Sequence, residues 1–426
     1  MQDRGTDRLA PSPTSWLGRL PQGDWLTRDR ILAWSGVFLV VQLGLLAFVF
    51  LWAHGVFAPL TAPMPTDFVS FYGAGRLTLA GAPALAYVQS AHHAAEVAAT
   101  APGMPYVYFY YPPVYLLWCA LLALPPLPVA FVLFQAISAG IWLLVMRSVL
   151  RMGGASWALA MLAYPAVSWT LLTGQNAFVV AGLLGAATLL LDRRPVVAGL
   201  LLGTLCFKPH LALVAPIALA AGGYWRTFAA AALAVGLWIA LSGALFGVDI
   251  WRDYLAALGA SSVVYETGRV ELNAYVTVYG AVRVLGGGAA AGHAAQAVAS
   301  VVAAGVVAWI WRRDPGPELR GASLAAGMLA TAPMALMYDL LLLSVTFAWL
   351  VRLGLRTGFR PWEKLAMFAC FAIALVSRHL AMALPVPLGP LAPAAMLALC
   401  LVRTLRPERG MQGSTDPGVR GDLAMA

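Results

Sequence analysis

The chain has 426 residues, of which 61% are hydrophobic and 11% charged, with a mean hydropathy of +0.79. A soluble domain of this length needs more polar surface than that composition supplies, so an all-α, polytopic integral membrane protein is expected. The net charge of +9 does not point to nucleic acid, because the basic residues are scattered between apolar runs rather than gathered on one face.

Residues 1–30 are charged and contain prolines, without the short apolar core and small-residue cleavage site of a secretory signal, and are expected to form a cytoplasmic segment. Ile31 to Ala53 is uncharged and long enough to cross a ~30 Å hydrocarbon core at ~1.5 Å per residue. It is read as an uncleaved anchor opening a transmembrane domain over residues 31–403. A long outer loop is expected over about 54–126. Within it, Pro63 and Pro65 lead into a helix starting with Thr66 or Asp67 as N-cap, with Phe68, Phe71, Tyr72, Gly75 and Leu79 at helical spacing. The stretch "YPPVYLLWCALLALP", Tyr111 to Pro125, is too short and too proline-bounded to span, and reads as a helix lying at the outer interface.

Further spans are predicted at 127–147, 155–172, 177–191, 196–207, 209–222, 227–246, 291–311, 321–337, 340–353, 363–378 and 386–403, about twelve with the first. Between them, 247–290 forms a second outer region, in which Ala274 to Leu285 reads as a further interfacial or re-entrant piece. Residues 404–426, polar and rich in Gly and Pro, read as a disordered cytoplasmic tail. No internal repeat stands out.

The arginine-rich connections, including Arg147/Arg151, Arg193/Arg194, Arg312/Arg313/Arg320 and Arg352/Arg356/Arg360/Lys364, are placed on the cytoplasmic side. That leaves Asp67, Arg76, Gln175, Asn176, Lys208, His210, Glu266, Arg269, Asn273, Asp339, Arg378 and His379 on the outer side. A cation retained there against the topological bias asks for an anionic partner.

Asp67 has two readings: a carboxylate that satisfies the first amides of its helix, or a base held at the water boundary. In "TGQN", Thr173 to Asn176, both amides can hydrogen-bond a polyhydroxyl ligand, or the stretch is a simple turn between helices. Lys208, in "KPH", is one of two lysines in the chain and sits in the middle of an apolar hairpin, where it either snorkels or holds an anion; His210 follows it. Tyr338-Asp339 and Arg378-His379 interrupt apolar segments, and an Asp339–Arg378 pair accounts for both at the structural level. The four cysteines, Cys119, Cys206, Cys370 and Cys400, have no ligand spacing and are assigned to packing. No metal site and no phosphate-cradling glycine loop is read. A candidate base with cations, amides and aromatics suits an amphiphilic substrate with an anionic head, a sugar and a lipid tail.

The succession "DFVSFYGAGRLTLAGAPALAY", "YYPPVYLLWCALLALPPLP", "LLTGQNAFVVAGLLGAATLLL" and "GLLLGTLCFKPHLALVAPIALA" resembles the polyprenol-phosphate-mannose-dependent mannosyltransferases of glycosyltransferase family 87, in the C-type membrane glycosyltransferase superfamily. The resemblance covers about Pro65 to Ala220 and is hydropathic beyond that. It implies inverting transfer of a hexose, mannose in the family, from a polyprenyl-phosphate donor to an envelope glycolipid or glycan acceptor at the outer face of the cell membrane. It also implies that Asp67 is the general base, and that Lys208 and Gln175-Asn176 occupy family motif positions. Arg378 and Arg76 join Lys208 as candidates for the donor phosphate. Tyr72, Gln175, Asn176, His210, Asn273, Tyr338, Asp339 and His379 are the candidates for sugar and acceptor. No cofactor or metal is expected. Two rivals stay open at this level: a transporter or flippase of lipid-linked sugars, and a noncatalytic scaffold of envelope assembly.

Overall fold

A computed structural model describes residues 21–51, 66–266 and 271–406. The proline lead into Asp67, Arg269, residues 1–20 and the tail from 407 lie outside the described residues, as does the side chain of Glu266. Every regular element described is helical, and strand-like pairing is limited to one isolated bridge between Tyr275 and Leu336.

Six described helices are long and apolar enough to cross a membrane: Arg28–Phe48, Leu127–Leu150, Trp225–Phe246, Ala289–Arg312, Met337–Thr357 and Glu363–Ala383. Apolar but shorter are Pro113–Leu122, Ala177–Leu190, Pro195–Phe207, Pro209–Ala221 and Leu391–Leu405. The chain is a membrane protein. Leucines and valines exposed along its long helices, such as Leu133, Leu144, Leu237 and Val301, face outward because lipid tails solvate them as well as a protein core would.

Several expected spans are subdivided. The span expected at 155–172 is two helices, Ser156–Leu162 and Pro165–Thr173. Pro165 occupies the first turn of the second, where its missing N–H costs nothing, and the residue before a proline avoids helical angles. The span expected at 386–403 begins only at Leu391. In the region expected at Ala274 to Leu285 there is a short helix, Val278–Val284, whose cap Thr277 accepts from the Gly280 amide at 3.2 Å.

Polar ties fix the helices in the core. Trp142 donates to Ser344 at 2.9 Å and Trp349 to Thr188 at 3.0 Å, linking Leu127–Leu150 and Ala177–Leu190 to Leu343–Thr357. At one end of the bundle the arginine-rich connections meet. Arg320, 4% exposed, pairs with Asp192 at 2.6 Å and with Asp314. Arg403 binds Glu363 at 2.7 Å, and Arg352 lies 3.5 Å from Glu318. The helix Ala177–Leu190 runs its 14 residues from this end to the opposite one, where Asn176 lies.

At that opposite end the helix Asp67–Leu79 lies against Pro113–Leu122 and Gln89–Ala99. Gly75 makes the approach possible: a Cβ there would fall 2.0 Å from the Cys119 carbonyl oxygen. Beneath it His92 donates through Nε2 to the Ser70 carbonyl at 3.0 Å, and Glu96 accepts from the Val107 amide at 3.1 Å.

Candidate active site

Asp67 is the first residue of its helix, and Thr66 is the N-cap, in extended conformation and without a side-chain cap bond. The carboxylate does not close on its own helix. Its Oδ2 accepts from Gln175 Nε2 at 2.7 Å, across 108 residues of sequence. Asp67 is half-buried, and desolvation raises its pKa above the ordinary carboxylate value, opposed by the Gln175 bond and the Lys208 charge.

Gln175 reaches this position through the turn before it. Gly174 ends the helix Pro165–Thr173 at φ +67°, a left-handed angle that glycine adopts without strain, and a Cβ there would meet Phe68 Cβ at 2.6 Å. The turn is thereby pressed onto the start of the Asp67 helix. The Gln175 oxygen accepts from the Tyr111 hydroxyl at 3.1 Å, the Asn176 amide at 3.3 Å and Lys208 Nζ at 3.5 Å. Three donors on that oxygen fix the amide so that its NH₂ faces Asp67.

Lys208 stands between a single 3-10 turn, Leu205–Phe207, and the proline that starts the next helix. It is 3% exposed, 3.1 Å from Asp339 Oδ1 and 5.0 Å from the centre of the Tyr338 ring. The other Asp339 oxygen accepts from the Leu336 amide at 3.0 Å. Two carboxylates, one amide and one ammonium thus form a continuous chain, Asp67–Gln175–Lys208–Asp339, drawn from four separate connections between helices. An ammonium this buried is tolerable only with such partners.

Tyr111 completes the cluster and was not singled out from sequence, where it is one aromatic in the run "YVYFYYPPVY". Its ring stacks on Tyr115 at 4.4 Å and meets Phe71 edge-on at 5.2 Å. Its hydroxyl accepts from Asn176 Nδ2 at 3.3 Å. Asn176, 1% exposed, keeps its Oδ1 without a partner among the described residues.

Other candidates lie apart from this chain. Arg76 is nine residues beyond Asp67 on the same helix, which carries it about half a turn round and ~13 Å along the axis. Tyr72, on the same side as Arg76, donates to the Pro125 carbonyl at 3.1 Å. Arg378 pairs with Glu271 and lies 5.3 Å from the Trp169 ring, so the expected Asp339–Arg378 pair is replaced by Lys208–Asp339 and Arg378–Glu271. His379 is exposed beside the same tryptophan. His210, half-buried, lies within electrostatic reach of Lys208 and Asp339 without a hydrogen bond to either, and Asn273 is half-buried outside the chain. Among the described residues no group of three or more His, Cys, Asp or Glu side chains could hold a metal ion.

No curated protein and no solved structure is significantly similar to the chain. The profile of glycosyltransferase family 87 matches residues 109–338. The matched span runs well past Ala220, takes in Tyr111, Gln175, Asn176 and Lys208, and starts after Asp67. Because it exceeds half of the sequence, the chain belongs to glycosyltransferase family 87 and is a glycosyltransferase.

Proposed function

We propose that the chain transfers a hexose, mannose in the first instance, from a polyprenyl phosphate to a glycolipid or glycan acceptor of the cell envelope, at the extracytoplasmic face of the plasma membrane. Asp67 is the general base. The observation that carries this reading is the binding of Asp67: one oxygen is fixed by Gln175 and no described residue bonds the other, so Oδ1 is available to an acceptor hydroxyl.

In the step proposed, the acceptor oxygen attacks the anomeric carbon from the side opposite the phosphate. Its proton passes to Asp67 Oδ1, the bond from anomeric carbon to phosphate oxygen breaks, and polyprenyl phosphate leaves with both electrons. Inversion follows from the single displacement. General-base assistance of this kind is worth ~10²–10⁴ in rate. Lys208 supplies positive charge to the leaving phosphate, and the unpartnered Asn176 Oδ1 is placed to accept from a sugar hydroxyl. The donor, a lipid phosphate, reaches the site from the membrane, as does a glycolipid acceptor.

Asp67→Asn keeps the shape and can still meet Gln175, so the variant should fold and bind donor while transfer of radiolabelled mannose from polyprenyl phosphate falls at least ~10²-fold. Lys208→Met should weaken donor use while Asp67 stays in place. Near-normal transfer by a folded, monodisperse Asp67→Asn protein would refute the mechanism.

A further inference from the structure

On the side of the Asp67–Leu79 helix turned away from Asp67 there is a cleft of about 710 Å³. Tyr72, Arg76, Ala95, Ala98, Leu124 and Leu127 are among its walls, and no carboxylate is. Arg76 is exposed, and its guanidinium makes no hydrogen bond or ion pair with any described residue. The nearest acid in sequence on the facing helix, Glu96, is 0% exposed and is engaged by Val107, and the Tyr72 hydroxyl is taken up by Pro125. The charge offered to a ligand is therefore a single guanidinium.

Around that guanidinium the surface is apolar. Leu124, in the wall, is 66% exposed, and Leu121, nearly one turn earlier, is 63% exposed. From the rim at Leu127 and Pro128 an exposed stripe of Val129, Val132 and Leu133 runs on along the Leu127–Leu150 helix, at the spacing of one helical face. In a membrane protein a cation bordered by lipid-facing side chains lies at the level of the lipid headgroups. Ala95 and Ala98 leave the space above Arg76 open on the facing helix.

We infer that this cleft is a binding site for an anionic phospholipid, separate from the site of sugar transfer. The phosphate oxygens take the paired N–H groups of Arg76, a geometry that suits guanidinium, and an acyl chain follows the Val129–Val132–Leu133 stripe. The bound lipid ties the helix that carries Asp67 to the headgroup layer. The inference concerns binding and stands independently of the reaction assigned to Asp67.

The test uses the full chain in neutral detergent, titrated with phosphatidylglycerol, phosphatidylcholine or inorganic phosphate, and read by native mass spectrometry and thermal melting. Phosphatidylglycerol should bind and raise the melting temperature, phosphatidylcholine should bind weakly, and inorganic phosphate should do neither at the same concentration. Arg76→Gln should lower phosphatidylglycerol affinity at least ~10-fold, the usual weight of a charge-assisted bond. Ala98→Trp, which fills the cleft at an exposed position and keeps the charge, should do the same. Asp67→Asn should bind the lipid like the wild type. Unchanged phosphatidylglycerol affinity in both cleft variants, equal binding of the two lipids, or equal binding of inorganic phosphate would overturn the proposal.

Discussion

At the scale of the residue, the orientation of one amide organises the cluster. Gln175 donates to Asp67 because its oxygen is occupied by Tyr111, Lys208 and its own neighbour's amide. A hydrogen bond donated to a carboxylate favours the ionised form, so it opposes the rise that desolvation imposes on Asp67. As the proposed base, Asp67 works when ionised, so activity should fall as pH drops through a pKa that burial has raised from the ordinary value. Gln175→Leu removes the opposing bond. The acidic limb of the transfer rate should then move to higher pH. A pH–rate profile of both proteins under single-turnover conditions checks this, and an unmoved limb would separate Gln175 from the ionisation of Asp67. Lys208 adds a second constraint. Its ammonium meets Asp339 before any donor arrives, so a donor phosphate joins or displaces a carboxylate rather than entering an unpaired positive pocket.

At the scale of the element, the two helices Gln89–Ala99 and Asp67–Leu79 depend on a buried ionisable pair. His92 and Glu96 are both 0% exposed, His92 Nδ1 lies 3.7 Å from Glu96 Oε1, and Tyr106 packs against His92. Burial lowers the His92 pKa to about 4 and raises that of Glu96 to about 8. The folded state thus prefers both groups neutral. For Glu96, stability is fully present below the unfolded value of 4.5 and is lost as pH rises through about 8. For His92, stability is present above 6.5 and is lost as pH falls towards about 4. Between 4.5 and 6.5 the two effects oppose one another, so the melting temperature should be nearly level there and fall as pH rises from about 6.5 to about 8. Glu96→Gln keeps an acceptor for the Val107 amide and removes the ionisation, so the alkaline decline should flatten and a decline below about pH 6.5, due to His92 alone, should emerge. Thermal melts of the two proteins across pH 4.5–9 provide the measurement.

At the scale of the molecule, the arginine-rich connections and the Asp67 cluster occupy opposite ends of the same helices. With the arginine end held in the cytoplasm, a cysteine at exposed Ser90 should react with an impermeant maleimide in intact cells, and one at exposed Ala155 only after permeabilisation. The native cysteines are largely buried and give low background. The reverse pattern would move the cluster to the cytoplasmic face. The positions of Asp67, Gln175, Lys208 and Asp339 were legible in the sequence because a polar group in an apolar chain is costly and stands out against its neighbours. Their pairing was not: whether Asp339 meets Arg378 or Lys208 depends on how five connections fold together, and no local spacing encodes it. Tyr111 escaped notice for the opposite reason, being one ring among many. Span boundaries at the long helices followed from hydropathy, whereas the break at Tyr164-Pro165 shows a proline overriding an apolar run that hydropathy alone reads as continuous.

The helix Ala177–Leu190 has a further consequence. Its 14 residues measure ~21 Å at ~1.5 Å each, against a hydrocarbon thickness of ~30 Å. Its flanks are covered by other helices, some of full spanning length, and both of its ends are polar, so water follows the cluster below the plane of the headgroups. The chain breaks at Gly174–Asn176 and at Phe207–Pro209 lie at that depth, where irregular backbone survives only inside protein or beside water. On the proposed mechanism the reaction chamber is a wet recess sunk into the protein rather than a platform above the membrane. On that reading, sugars carried on lipid would enter it sideways, while a free glycan would have to be long enough to hang down from the aqueous side.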